Sequence, residues 1–213
     1  WVAMAVLLIA GLWLRLYRIS EPPFDFHGQR QLWDATRARV LYYKALASDP
    51  LRAVSPAKLA IAQANDAAPT EPPILETLAV QGYEIAGKED LAIPRALSAI
   101  FYVAGGIFLF LLALRLFTAG PALVALAVYL FLPFAVQATR TFQPDPLMVA
   151  LVTASLYCTY RYYEKPVGAR LLWAMVVAAL AVVVKVVAFP FVAIPFLALA
   201  LDPEIALARR EKK

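Results

Sequence analysis

The amino-acid sequence predicts an all-α integral membrane protein with about six transmembrane helices and one large loop on the outer side. Apolar residues make up 62% of the 213 residues and charged residues only 16%. The mean hydropathy of +0.69 lies far above that of soluble domains. Six runs with little or no charge alternate with polar connections. These runs are 1–14, 96–114, 116–139, 146–160, 171–184 and 186–201.

The length of each run is close to that of a membrane-spanning helix, which needs about 17–25 residues. The shorter runs suffice if flanking Arg, Lys and Tyr side chains snorkel to the interface. Only Lys185 separates the last two runs, which therefore form either one long helix or a hairpin of two. Pro190 and Pro195 would disturb a continuous helix, which favours the hairpin.

The basic residues of the short connections predict the orientation. If Lys185 marks a hairpin, these residues all fall on one side of the membrane, which the positive-inside rule places in the cytoplasm. They are Arg115, Arg161, Lys165, Arg170, Arg209, Arg210, Lys212 and Lys213. The 20–91 and 138–145 loops then lie outside. Frequent Ala, Leu and Arg favour a bacterial inner membrane, with the large loop in the periplasm.

The predicted organisation has four parts. They are a first transmembrane helix over 1–19, the outer loop over 20–91, transmembrane helices two to six over 92–201, and a basic cytoplasmic tail over 202–213.

The sequence of the outer loop predicts three short helices. Residues 30–47 fit an interfacial amphipathic helix. Residues 55–67 follow with Pro56 in the first turn, and residues 74–85 form a third helix that Gly87 stops.

A cluster of ionisable residues directly follows the first apolar run. Asp25, His27 and Arg30 place a carboxylate, an imidazole and a guanidinium within six residues at a membrane boundary. Such a concentration indicates a site rather than a spacer. His27 is the only histidine and Cys158 the only cysteine, so neither a His-based nor a Cys-based metal site is expected.

Several segments together resemble the N-terminal half of GT-C glycosyltransferases, in the branch of the protein O-mannosyltransferases and the lipid A aminoarabinose transferases. The segments are Asp25-Phe26-His27-Gly28-Gln29-Arg30-Gln31, Glu71-Pro72-Pro73-Ile74-Leu75, Arg95-Ala96-Leu97-Ser98, Arg140-Thr141-Phe142-Gln143-Pro144-Asp145-Pro146-Leu147-Met148 and Val184-Lys185. Their order and spacing agree with that family over essentially the whole chain. His27-Gly28 stands where one branch of the family carries Asp-Glu. Asp34 is displaced by one position from an acidic residue of the other branch.

The resemblance implies transfer of a sugar from a polyprenyl-phosphate donor to a lipid or protein acceptor on the outer face, with inversion at the anomeric carbon. Asp25 would be the catalytic base. Arg95, Arg140 and Lys185 would stabilise the departing phosphate. The remaining predicted substrate-binding residues are His27, Arg30, Glu71 and Asp145. No cofactor is implied with certainty, and the need for a divalent metal stays open.

Each of these residues also has a purely structural interpretation. Asp25 and Asp145 would cap helices, and Arg30 would pair with Asp25 or Asp34 to hold the loop. Glu71 would simply be part of a proline-rich turn. Arg95, Arg140 and Lys185 would be flanking charges that snorkel.

Three classes of function remain open at this stage. Relatives continue beyond the length of this chain, so we expect either the N-terminal half of a transferase or a short relative. The alternative to an enzyme is a non-catalytic GT-C-like structural subunit that packs in a larger membrane complex, with small residues such as Gly105-Gly106 at close helix contacts. A small transporter or channel is the third possibility. Nucleic-acid binding is not expected, because the net charge of +5 is explained by the cytoplasmic flanks.

Overall fold

The computed structural model describes residues 1–24, 26–47, 54–66 and 71–201. Every regular element in these ranges is helical, which confirms the all-α prediction. The α-helices are α1 Val2–Leu16, α2 Gly28–Ala47, α3 Pro56–Ala64, α4 Ile74–Ala86, α5 Ala92–Leu116, α6 Ala119–Phe131, α7 Pro133–Thr139, α8 Asp145–Glu164, α9 Gly168–Val184 and α10 Phe189–Ala200. A 3₁₀ turn, Val186–Ala188, joins α9 to α10.

One described helix, α5, is long and apolar enough by itself to cross a membrane. The α6–α7 pair passes the same criterion only if it counts as one bent span. Val2–Leu16, Gly168–Val184 and Val186–Ala198 are apolar but shorter. The six-span arrangement therefore stays a prediction.

The predicted span over 116–139 is two helices rather than one, bent by 58° between α6 and α7. Pro133 opens α7 and has no N–H, so it cannot donate to the carbonyl of Tyr129 four residues earlier. That carbonyl accepts a hydrogen bond of 3.0 Å from the hydroxyl of Tyr102 on α5 instead. The Tyr129 hydroxyl donates back to the Tyr102 carbonyl at 3.0 Å, and the two rings stack at 4.1 Å.

α5 packs against α8 through Gly105, as the small-residue interpretation expects. A Cβ atom at Gly105 would lie 2.8 Å from the Cα of Ala150 and 2.7 Å from the hydroxyl of Tyr129. Real Cβ atoms essentially never come this close to backbone. The absence of a side chain at Gly105 therefore sets the distance between the two helices.

Polar contacts at the two ends of the bundle fix the helix directions. Arg95 at the start of α5 contacts the Arg140 carbonyl just before α8. At the other end Arg115 of α5 donates to Glu164 of α8, at 3.1 Å. α5 and α8 therefore run parallel, and α9 returns antiparallel, since its Arg170 donates to the carbonyl of Arg161.

The last apolar stretch is broken at Lys185, whose backbone is extended. The chain then turns through the 3₁₀ segment, and Val192 of α10 packs with Ala181 and Ala188. Met148 and Leu151 of α8 lie against the same cluster. The structure therefore has two helices here and not one long helix.

The helices of the 20–91 loop pack on one another and on the main bundle. α2 and α4 share a buried cluster with the α7–α8 connection, made of Ala38, Tyr42, Leu75, Ala79, Val80, Tyr83 and Phe142. Three predictions for this loop are confirmed. α2 forms over the predicted range, Pro56 opens α3, and Gly87 ends α4 in the left-handed conformation with φ of 68°.

Candidate functional site

Arg95, near the start of α5, fastens the connection between α1 and α2. Its side chain is buried, with 1% exposed. Nε donates to the carbonyl of Arg140 at 3.0 Å, and Nη1 donates to the carbonyls of Ile19 and Glu21 at 2.8 Å each. These two carbonyls precede Asp25 by six and four residues. Arg95 therefore fixes the position of the backbone segment that leads to Asp25.

Arg140, in the α7–α8 connection, holds the same segment from a second side. Its Nη2 donates to the carbonyl of Tyr17 at 2.8 Å and to that of Arg18 at 3.2 Å. Arg18 has a φ of 55°, which marks a sharp turn after α1. Arg140 and Arg95 thus converge on one backbone segment. Their contact with a phosphate stays a prediction.

Gln31, buried in the first turns of α2, joins the start of this helix to the α7–α8 connection. Its Nε2 donates to the carbonyl of Phe26 at 2.7 Å. Its Oε1 accepts from the backbone N–H of Phe142 at 3.2 Å. Gln31 belongs to the Asp25–Gln31 motif, but the sequence alone indicates no role for it. Its partner Phe142 lies 111 residues away, and no local pattern indicates such a contact.

A cavity of about 450 Å³ opens beside these connections. Its walls come from the segment before α2, from α5, and from the α6–α8 region. The lining residues are Phe26, His27, Tyr102, Leu132, Phe134, Ala135, Ala138, Thr139, Gln143, Asp145, Pro146 and Val149. Most of this lining is apolar with a few polar groups, which is the usual composition of a small-molecule site.

His27 lies at the mouth of the cavity, directly before α2. Its φ of 45° is rare for a residue other than glycine. Its ring meets the ring of Phe26 edge to face at 4.4 Å, and Phe26 contacts Phe134 at 5.5 Å. Its carbonyl accepts from the N–H of Gln31 at 3.1 Å. The α2 start therefore places an exposed imidazole against an aromatic wall.

Asp145 and Lys185 form an ion pair at the same end of the bundle. Lys185 Nζ lies 2.8 Å and 2.9 Å from the two carboxylate oxygens of Asp145. Asp145 is the first residue of α8, and its side chain makes no capping hydrogen bond to the helix. The helix-cap interpretation of Asp145 is therefore wrong, because the carboxylate turns toward Lys185 across from α9. Of the two partners, Asp145 lines the cavity.

Arg15 lies behind the cavity wall and is fully buried. Its Nε donates to the hydroxyl of Thr139 at 2.7 Å, and its Nη1 donates to the carbonyl of Gly11 at 2.8 Å. Its guanidinium carbon is 4.8 Å from the centre of the Tyr102 ring, a cation–π distance. Among the described residues no carboxylate pairs with it. Arg15 is thus held within the helix bundle and does not reach solvent.

Arg30 and Glu71 form a second polar cluster, between α2 and the segment before α4. Arg30 Nη2 contacts the Glu71 carboxylate, and its Nε donates to Asp34 at 3.2 Å. The predicted pairing of Arg30 with Asp34 is therefore confirmed. Both Arg30 and Glu71 are partly buried, so the cluster joins α2 to the entry of α4.

Burial changes the acidity of this second cluster. It raises the pKa of Asp34 from 3.8 to about 7, against the pull of Arg30, with Glu76 and Glu71 acting in the same direction as burial. Burial also raises the pKa of Glu76. For Arg30, burial alone would lower the pKa, but the Glu71 and Asp34 carboxylates outweigh it and the pKa is raised.

The predicted site residues thus fall into three groups. His27 and Asp145 line the cavity, and Lys185 pairs with Asp145. Arg95 and Arg140 anchor the connection that carries Asp25. Arg30 and Glu71 pair with each other on the α2 and α4 side. Asp25 itself lies outside the described residues.

Metal ligation finds no support in the described ranges. No group of three or more His, Cys, Asp or Glu side chains there is arranged to hold a metal ion.

The described residues form an all-helical bundle with a largely apolar cavity at one end. A family model described as dolichyl-phosphate-mannose-protein mannosyltransferase matches residues 70–211, and the chain belongs to that family. This is a family of membrane glycosyltransferases of the mannosyltransferase type, which confirms the GT-C resemblance. Comparisons with curated proteins and with solved structures gave no match.

The matched range contains five of the eight predicted site residues, namely Glu71, Arg95, Arg140, Asp145 and Lys185. Asp25, His27 and Arg30 precede it.

Proposed function

We propose that this chain transfers a sugar from a polyprenyl-phosphate donor to an acceptor at the outer face of the membrane, with inversion at the anomeric carbon. The observation that carries the proposal is the cavity of about 450 Å³ that His27 and Asp145 line, with Lys185 paired to Asp145. Phe26, the residue after Asp25, lines this cavity. The family supports a lipid-linked sugar donor and an acceptor.

The proposed reaction is a single displacement. An acceptor hydroxyl oxygen attacks the anomeric carbon while Asp25 takes the hydroxyl proton. The bond between the anomeric carbon and the phosphate oxygen breaks, and polyprenyl phosphate leaves with the electron pair. Attack on the face opposite the leaving group inverts the anomeric configuration. The protein must therefore hold a base on one side of the sugar and a cation on the other.

Lys185 is the proposed cation for the phosphate. Its ammonium group contacts Asp145, which lines the cavity, and its side chain is about a quarter exposed, at 26%. Negative charge grows on the leaving oxygen in the transition state, and a positioned ammonium group stabilises it. Asp145 keeps Lys185 in place before the donor binds, because a carboxylate 2.8 Å away fixes the flexible side chain.

The main role proposed for Arg95 and Arg140 is to hold the backbone in place. Together they bind four carbonyls between positions 17 and 21. A base must sit within hydrogen-bond reach of the proton it takes, so the segment that leads to it has to be rigid. His27, Arg30 and Glu71 are proposed to border the acceptor.

We also propose that the chain crosses a bacterial inner membrane about six times with the 20–91 loop in the periplasm. Cys158 is the only cysteine, so a Cys158→Ser background accepts single reporter cysteines. A membrane-impermeant maleimide should label Lys58→Cys in intact cells and Lys165→Cys only after permeabilisation. The reverse pattern would contradict this orientation.

Donor choice tests the proposed reaction. The full chain in native membranes should transfer radiolabelled mannose from polyprenyl-phosphate mannose to membrane acceptors, and should leave GDP-mannose unused. Transfer from GDP-mannose in the absence of polyprenyl phosphate would refute the donor class. Absence of transfer from both donors would favour the structural-subunit alternative.

A further inference from the structure

Gln143 is a cavity residue to which sequence reasoning gave no role. It lies in the α7–α8 connection, two residues before Asp145, and its backbone N–H donates to the Thr141 carbonyl at 3.0 Å. The residue is buried, with 8% exposed, and it lines the cavity. Its side-chain Nε2 has no hydrogen-bond partner among the described residues. Gln143 therefore forms part of the cavity wall and carries a buried amide donor whose hydrogen-bonding capacity is unused.

Such an arrangement costs free energy in the unliganded protein, because burial removes water from the amide without replacing its hydrogen bonds. Native proteins pair nearly all buried polar groups, and an exception in a cavity points to a missing ligand. An apolar residue of similar shape, such as methionine, would fill the same space at lower cost. The amide therefore fits a bound group that accepts hydrogen bonds.

Two other polar groups of the cavity are already engaged. The Thr139 hydroxyl accepts from Arg15 and donates to the Ala135 carbonyl at 2.6 Å, which uses its one hydrogen. The Asp145 carboxylate is occupied by Lys185. Gln143 thus remains available as a donor to a ligand.

The position of Gln143 relative to Lys185 indicates which part of a ligand it meets. A phosphate is drawn to the ammonium group of Lys185, which contacts the cavity residue Asp145. A group bonded to that phosphate then lies in the cavity beside Gln143. A neutral amide suits neutral hydroxyl oxygens, whereas phosphates favour cations. The volume of about 450 Å³ is within the range of small-molecule sites, roughly 300–1,000 Å³.

We propose that Gln143 is a specificity-determining residue, whose side-chain N–H donates to a hydroxyl oxygen of the sugar carried by the lipid phosphate. This assignment rests on the proposed function. It predicts that the amide distinguishes a sugar-bearing lipid from the bare lipid phosphate, since only the former places a hydroxyl in the cavity. Sites built to pair a substrate hydroxyl reject analogues that lack it.

The test compares the binding of two probes to the purified full chain in nanodiscs: polyprenyl-phosphate mannose and polyprenyl phosphate of equal chain length. Gln143→Met keeps the shape of the side chain and removes the amide, and Gln143→Glu keeps an acceptor but no donor at neutral pH. We expect both variants to lose about tenfold or more in affinity for the mannosyl lipid and to bind the sugar-free lipid as the wild type does. Gln81→Leu, on the exposed face of α4, is the matched control and should change neither affinity.

Thermal unfolding separates this role from a structural one. Gln143→Met should leave the melting temperature unchanged or higher, because an unpaired buried donor is removed. Equal losses for both lipids, no loss for either, or a lower melting temperature with parallel loss of all binding would overturn the assignment. If the wild type binds the two lipids equally, the Gln143 role fails while a lipid-phosphate site survives. If it binds neither, the proposed function fails and the Gln143 role with it.

Discussion

Substitution of Arg95 by methionine should loosen the segment that leads to Asp25. Methionine keeps the apolar stem of the side chain and removes three hydrogen bonds of 2.8–3.0 Å to the carbonyls of Ile19, Glu21 and Arg140. A hydrogen bond from a charged donor contributes about 1.5–3 kcal/mol. The three share one guanidinium and water can reach part of the segment, so their sum is an overestimate. We expect a loss of about 3–5 kcal/mol.

Hydrogen–deuterium exchange in detergent micelles measures this loss locally. Backbone N–H groups of the segment are bonded within it, as in Ile19 to Leu16 and Glu21 to Arg18. A destabilisation of about 3 kcal/mol should speed their exchange by about a hundredfold or more. Exchange in α9 should change less.

Arg39→Met is the matched control. Arg39 also pairs through its Nε, with Glu89 at 2.7 Å, but its side chain is half exposed, at 51%. Such surface pairs contribute about 0–1 kcal/mol. If Arg95→Met leaves exchange over residues 17–24 no faster than the control does, the anchoring role of Arg95 is refuted.

Three further predictions concern packing, acidity and donor binding. Gly105→Ala should lower stability by about 1–3 kcal/mol in thermal unfolding, because its Cβ would meet the backbone of Ala150 at 2.8 Å. Gly120→Ala, which has open space around it, should not lower stability. Equal effects of the two substitutions would contradict the close α5–α8 contact. Because the folded pKa of Asp34 is raised to about 7, its ionisation opposes folding, so stability should fall by at most about 4 kcal/mol between pH 4 and pH 7. Asp34→Asn should flatten this pH profile, and an unchanged slope would reject the assignment. Lys185→Ala should raise the KM for the lipid donor and also lower kcat, because the ammonium group meets the donor phosphate in the bound state and the charge of that phosphate grows in the transition state; an unaltered KM would make Lys185 a flanking charge.

Much of the fold could be predicted from local patterns. Apolar runs indicate where helices form, Pro56 fits the first turn of α3, and Gly87 supplies the left-handed residue that ends α4. These features depend on neighbours within one helical turn. The pairing of Arg30 with Asp34 is of the same kind, since residues four apart on a helix face each other.

The bend between α6 and α7 could not be placed by sequence reasoning, although Pro133 was visible. A proline removes one hydrogen bond, but the orphan carbonyl of Tyr129 needs a partner before the bend is stable. That partner is the hydroxyl of Tyr102, which lies 27 residues away on α5. Only the packing of the two helices brings them together.

In the candidate site, too, local sequence predicts some features and tertiary contacts decide the others. Asp25, His27 and Arg30 are close in the chain, which predicts a single site, whereas the structure separates His27 at the cavity from Arg30 beside Glu71. The roles of Gln31 and Gln143 depend on burial, which a neutral side chain in a polar motif does not reveal. Burial of this kind is decided by tertiary contacts such as that of Gln31 with Phe142.

The most direct test of sugar transfer at this cavity is the initial rate of transfer from polyprenyl-phosphate mannose by Asp25→Asn. The full chain in native membranes should lose the reaction by about a hundredfold or more, because the amide cannot take the acceptor proton. Asp66→Asn, which removes a carboxylate 3.8 Å from Arg37 on the loop, should keep wild-type transfer. Undiminished transfer by folded Asp25→Asn protein would contradict the account.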